Sequence, residues 1–191
     1  VTSESIKDEL HGYLRGAREV LVWKLDGLGE YEVRQPLTPS GTNLLGLVKH
    51  STASHLRYFG EVFGRSTATI EGPLAPADAP GAEFWAAPDE SRDEILDRYR
   101  QACAFADETI GELPLEATGR VWWWGHAAVT LHHVIVHVTA DTQRHAGHAD
   151  ILRELTDGSL GLLPHSANLH VRDDAEQKRR FEQIQAAAAF R

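Results

Sequence analysis

His137-Val-Thr-Ala-Asp141-Thr-Gln-Arg-His145-Ala-Gly-His148 sets imidazole and carboxylate groups at steps of three and four inside a long segment that reads as helix. A step of four turns a helical side chain by only ~40°, so His137, Asp141 and His145 climb one stripe and His148 returns to it. Such a stripe can form one wall of a metal site, and a helical bundle can close the other walls around it.

Outward from this stretch the chain divides into further helical segments. Ile6, Leu10, Leu14, Ala17, Val20, Leu21 and Leu25 recur at threes and fours and predict a first helix from Ser3 to about Leu25. Gly27, Gly29, Pro36 and Pro39 break that pattern, and Ser40 or Thr42 is placed to cap a second helix running to about Phe63. The stretch from Ser66 to Pro88 has the Pro and Gly content of a loop, with Phe84 and Trp85 expected to pack down; an ordinary surface loop is the plainer reading and a lid over a site the alternative. A third helix, capped by Asp89 or Ser91, is predicted as far as Ile110, before Gly111 and Pro114. A connection containing Trp122, Trp123 and Trp124 leads to the fourth and longest helix, about Ala127 to Leu155, closed by Asp157 and Gly158. The pattern predicts an all-α fold, an antiparallel four-helix bundle over residues 1–160. Residues 161–191 form a C-terminal extension with a short helix from Asp173 to Phe190, expected to pack on the bundle or on a partner subunit.

Composition narrows the function classes. The 191 residues are 42% hydrophobic and 25% charged, ordinary globular usage, and no apolar run approaches a membrane-spanning length. The polar, acidic start Val1-Thr-Ser-Glu-Ser lacks the basic and apolar regions of a signal peptide, and the expected location is cytoplasmic. A formal charge of −9, from 28 acidic and 19 basic residues, opposes binding to phosphate backbones, so no nucleic-acid partner is expected. The single cysteine, Cys103, rules out an internal disulfide and a cysteine-based zinc cluster; its place on an apolar stripe reads as core packing. A metal held by this chain would take nitrogen and oxygen donors, which admits zinc, nickel, iron or manganese.

The second helix supplies a partner for the stripe. His50 follows Leu47 and Val48 on the apolar side, whereas His55 lies about 140° further round and is expected at the rim or in solvent. The minimal metal site is therefore His50 with the i, i+4 pair Asp141 and His145, with His148 and His137 in reserve or in support. Three protein ligands leave open coordination positions, the pattern of a metal that takes part in chemistry. Lys49, Arg57 and Arg144 lie near enough in sequence to bind a carboxylated ligand, with surface ion pairs as their plainer use. Trp122 to Trp124 are candidates for a pocket wall.

The stretch from Val129 to Gly158 resembles the DinB/YfiT-like metalloprotein superfamily, in particular its actinobacterial DUF664 branch. The likeness rests on Trp123-Trp124, Val129-Thr130-Leu131, His137, Asp141, Arg144-His145-Ala146-Gly147-His148, Asp150, Arg153-Glu154 and Asp157-Gly158. Gly46-Leu47-Val48-Lys49-His50 and Tyr58-Phe59-Gly60-Glu61-Val62-Phe63-Gly64 agree with it. The resemblance implies a four-helix bundle and a divalent metal, commonly zinc or nickel, held at the positions of His50, Asp141 and His145. Relatives most often carry Glu or His where Asp141 stands, and His148 or His137 is then placed to replace or support it. Asp150 and Arg144 are placed to fix histidine tautomers.

The resemblance further implies activation of a small thiol, as in mycothiol-dependent maleylpyruvate isomerase and bacillithiol transferases. The expected function is a metal-dependent thiol S-transferase that uses mycothiol against a small electrophile, the chain acting as a homodimer. The alternative is a non-catalytic divalent-metal-binding stress-response protein, and a third reading is a plain helical dimer with a histidine-lined core.

Overall fold

Asn43, not Ser40 or Thr42, starts the second long helix: its side-chain oxygen accepts the Gly46 N–H at 2.7 Å. The computed structural model describes residues 2–68, 70, 81–164, 166 and 173–189. Within them the helices are α1 (Ser3–Trp23), α2 (Glu30–Arg34), α3 (Leu44–Phe59), α4 (Arg92–Glu112), α5 (Leu131–Asp157) and α6 (Asp174–Ala188). Thr2 and Ser91 close capping boxes on α1 and α4, Thr130 caps α5, and Gly158 ends α5 in the left-handed conformation. The short α2, between Gly29 and Pro36, falls where the sequence reads only as breakers.

Other boundaries also differ from the sequence reading, and Gly111, read as a stop, lies inside α4. Gly60 ends α3 at Phe59, and Glu61–Phe63 form a separate 3-10 turn. Ala127 to Thr130 belong not to the fourth helix but to strand β2 (Ala127–Thr130), antiparallel to β1 (Thr118–Val121), with Thr118 opposite Thr130 and Val121 opposite Ala127. The strands are four residues each, too short for an alternating pattern to stand out. Between them Trp122–Trp124 make a 3-10 turn. Gly119 lets this hairpin sit on the turn after α3: a Cβ there would lie 2.4 Å from the Val62 carbonyl oxygen.

The chain divides into two units, Val1–Ser159 and Leu160–Arg191. In the second, Asp173 caps α6 by accepting the Glu176 N–H at 2.8 Å. In the first, the long helices α1, α3, α4 and α5 form the bundle, with α3 packed on both α4 and α5 and α1 on α5. Its core is two apolar clusters, one around Leu14, Phe59, Ile110, Ile135 and Val138, the other around Leu21, Leu45, Val48, Tyr99 and Leu152.

Between these clusters the same helices carry polar residues. Arg18 stands between Leu14 and Leu21 on α1, His50 to His55 between Val48 and Tyr58 on α3, and Asp141 and His145 between Val138 and Ala149 on α5. A polar layer inside a helical core is costly unless its groups find partners, so its partners show what it does.

Candidate metal centre

His50 from α3 and Asp141 and His145 from α5 meet in that layer, where one donor atom from each lies within 4.8 Å of the other two. The Nε2 atoms of His145 and His50 stand 3.4 Å and 3.8 Å from the two carboxylate oxygens of Asp141. Both distances exceed the usual N–H···O range, so the carboxylate does not saturate either imidazole. Four donors about 2.1 Å from a tetrahedral zinc would lie ~3.4 Å apart, close to this spacing. On the far side of each ring Nδ1 is buried and has no hydrogen-bond partner among the described residues. Two nitrogens and a carboxylate oxygen that converge without satisfying one another fit a divalent cation with an open coordination position.

The surroundings keep the donors in place and the Asp141 carboxylate ionised. Burial alone would raise the Asp141 pKa, but the imidazoles of His145 and His50 outweigh it and hold the carboxyl well below the usual carboxylate range. Ser54 Oγ donates to the Asp141 carboxylate at 3.5 Å, a long contact. The Phe84 ring stacks on His50 with centroids 4.2 Å apart and planes 15° from parallel, while His145 meets His50 edge-on at 4.8 Å. Gly46 makes that stack possible. A Cβ at Gly46 would lie 1.8 Å from the Phe84 carbonyl oxygen, so only glycine lets the Ala82–Phe84 turn rest against α3.

A cavity of about 360 Å³ lies beside the cluster, with His50 and Asp141 in its wall. Ser54, Arg57 and Tyr58 continue the wall along α3, His137 forms it on α5, and Trp122 and Trp123 complete it from the hairpin. Trp123 Nε1–H donates to Tyr58 Oη and Trp122 Nε1–H to Glu61, both at 3.4 Å, which ties the aromatic wall to the end of α3. Burial raises the Tyr58 pKa, so the phenol keeps its proton at neutral pH. Burial also lowers the His137 pKa, favouring the neutral ring, which packs against Tyr58 at 4.8 Å and Trp124 at 4.7 Å.

A family profile described as mycothiol-S-transferase matches residues 9–158, which contain the bundle from within α1 onwards and every donor above. The chain belongs to the mycothiol-S-transferase family. This is a DinB/YfiT-like family, and DinB-like proteins are metalloproteins. The crystal structure of a conserved protein from Enterococcus faecalis has the same fold, with a TM-score of 0.63 at 15% identity over 81% of this chain and 98% of the other. A search of curated proteins found no match.

Other residues singled out in the sequence of this mycothiol-S-transferase family member fall around the cluster. His148 is exposed, its ring 5.6 Å from that of His145, and neither it nor His137 is in the donor group. Asp150 forms an ion pair with buried Lys24 at 2.7 Å, and Arg144 is exposed, so the expectation that Asp150 fixes a ligand's tautomer gives way to a structural pair. Lys49 is buried, reaching Glu90 at 2.6 Å and the Trp85 carbonyl at 3.1 Å, and is neither a surface pair nor open to a ligand. Cys103 lies inside the bundle, and burial pushes its thiol up to about 11, which agrees with a packing role. Of the Ser66–Pro88 stretch, read as a surface loop with a lid as the alternative, residues 69 and 71–80 lie outside the described residues.

His55 is a clear correction. It is fully buried, not at the rim. Nδ1–H donates to the Ser51 carbonyl at 2.6 Å and Nε2 accepts from Arg18 Nε at 2.8 Å, and Arg18 and His11 both reach Asp107. Burial, followed by the Arg18 charge, lowers its pKa to about 3, so the ring is neutral. The helical-wheel argument fails here because α3 is covered nearly all round by α4, α5, α2 and the Ala82–Phe84 turn.

Proposed function

We propose that this protein is a divalent-metal-dependent S-transferase that joins a low-molecular-weight thiol, mycothiol, to a small electrophile. The observation carrying the reading is the convergence of His50, Asp141 and His145 donors beside a cavity large enough for a small molecule. These three residues would hold the cation, with zinc and nickel as candidates for a nitrogen and oxygen donor set. A divalent cation bound there supplies the charge that keeps a thiol deprotonated near neutral pH.

The chain's own residues divide the remaining work. Asp141 brings one full negative charge, so the cluster with a divalent cation keeps a net positive charge that attracts a thiolate. Tyr58 accepts from Trp123, and its own O–H, which donates to no described residue, is placed to donate to the ligand. Tyr58, Trp122 and Trp123 limit water around the reacting sulfur. In the transfer a carbon–sulfur bond forms, the electrophile's leaving group departs with the bonding electrons, and the thiol proton passes to the neutral His137 imidazole and on to solvent.

Metal analysis of protein purified without chelators, together with loss of free thiol in the presence of 1-chloro-2,4-dinitrobenzene, tests the reading. The wild type is expected to carry a divalent ion and to consume thiol, mycothiol fastest among the thiols tried. His145→Ala is expected to lose both, conjugation falling by more than ~100-fold. Absence of metal from the wild type, with His145→Ala unchanged, would overturn the proposal. Bound metal with no thiol consumed would leave the non-catalytic metal-binding alternative.

A further inference from the structure

His50, Ser54 and Arg57 occupy positions i, i+4 and i+7 of α3, one stripe along the cavity wall. At 1.5 Å of rise per residue the backbone of Arg57 lies ~10 Å along the helix from that of His50. The donor cluster and Arg57 thus mark two separated points on one wall, with Tyr58, Trp122 and Trp123 as aromatic neighbours.

Arg57 makes no hydrogen bond or ion pair with any described residue, although it is half-buried. Glu61, four residues on, uses its carboxylate for the Trp122 indole instead. Of the described residues lining the cavity, Arg57 is the one with a permanent positive charge, and Asp141, the one acid, belongs to the donor cluster. Its place in the last turn of α3 suits any cation, but the helix dipole does not occupy five guanidinium donors.

We propose that Arg57 is the anion-binding residue of this cavity and that the electrophile it selects is a planar compound carrying a carboxylate. The guanidinium fork matches a carboxylate in two parallel hydrogen bonds, and flat aromatic walls favour a flat body between that anchor and the reacting carbon. A carboxylate fits better than a phosphate, because a dianion beside the negative end of α3 would face a single compensating cation. The assignment of the ligand as the electrophile rests on the S-transfer reading, whereas the anion site itself does not.

The test uses two aryl chlorides, 4-chloro-3-nitrobenzoate and 4-chloro-3-nitrobenzamide, with the same thiol and the protein as purified. Each kcat/KM is divided by the uncatalysed rate, which removes the difference in ring reactivity. The wild type is expected to favour the carboxylate by about tenfold, the worth of a charge-assisted contact. Arg57→Gln is expected to bring the ratio close to one and Arg57→Lys to recover part of it. No preference in the wild type, or a preference kept in Arg57→Gln, overturns the proposal. Quenching of tryptophan fluorescence by the two nitroaromatics decides the anion site even if neither is turned over. Tighter binding of the carboxylate that is lost in Arg57→Gln sustains the site while the transfer reading fails, and equal binding overturns it.

Discussion

His50 and His55 are five residues apart on one helix and inside one polar layer, and they have opposite fates. Both nitrogens of His55 are matched within the protein, by the Ser51 carbonyl and by Arg18. His50 turns Nε2 towards Asp141 at 3.8 Å, lacks a partner for Nδ1 among the described residues and borders a cavity. A bundle can contain a polar group in two ways, by completing its hydrogen bonds or by leaving its donor atoms facing a space that something else fills. The first contributes to a unique fold; the second costs stability and is what a binding site looks like.

That contrast can be broken from the structural side first. Arg18→Met removes the donor to His55 and leaves Asp107 without its main counter-charge, and the loss of stability is expected at about 3 kcal/mol in urea unfolding. Metal content in the folded protein should stay at the wild-type level; a parallel loss of metal would mean that the two halves of the layer are coupled.

Next in size is an effect of acid. An unfolded His55 titrates near 6.5, whereas the folded one is held down to about 3 by burial, so between these values the unfolded chain binds the extra proton. Stability is therefore full above pH 6.5 and falls as the pH drops towards 3. From pH 7 to 5 this group alone accounts for about 2 kcal/mol. His55→Gln should flatten that part of the stability profile, and an unchanged slope would show that another group carries it.

The smallest expected effect sharpens the His50 side. Because His50 Nδ1 has no hydrogen bond among the described residues to fix the ring, the Phe84 stack sets its orientation. Phe84→Ala is expected to weaken metal binding by about tenfold with little change in unfolding, and Phe84→Tyr to restore it. Equal affinity in Phe84→Ala would show that the helix backbone alone orients the ligand.

The donor triad was legible because a helix converts sequence spacing into direction. Steps of four bring Asp141 and His145 onto one face, and Leu47 and Val48 mark the inward side of the helix that carries His50. The hairpin was hidden because its strands are four residues long, and α2 because it is five. His55 was misread because periodicity assumes a solvent side, and α3 has almost none. Arg57 was visible only as one basic residue among several, since isolation from partners is a property of the space around it.

By itself, then, the sequence determined the four long helices, the Ser91 and Gly158 caps and the three residues able to face one another. These follow from local rotation, capping and burial pattern, all carried by neighbours in the chain. Tertiary structure alone decided that Gly46 admits Phe84 against His50, that Asp150 serves Lys24, that His55 is sealed in the core and that Arg57 is left facing a cavity. Each depends on what a distant segment places opposite a side chain, and such pairings are fixed only when the helices pack.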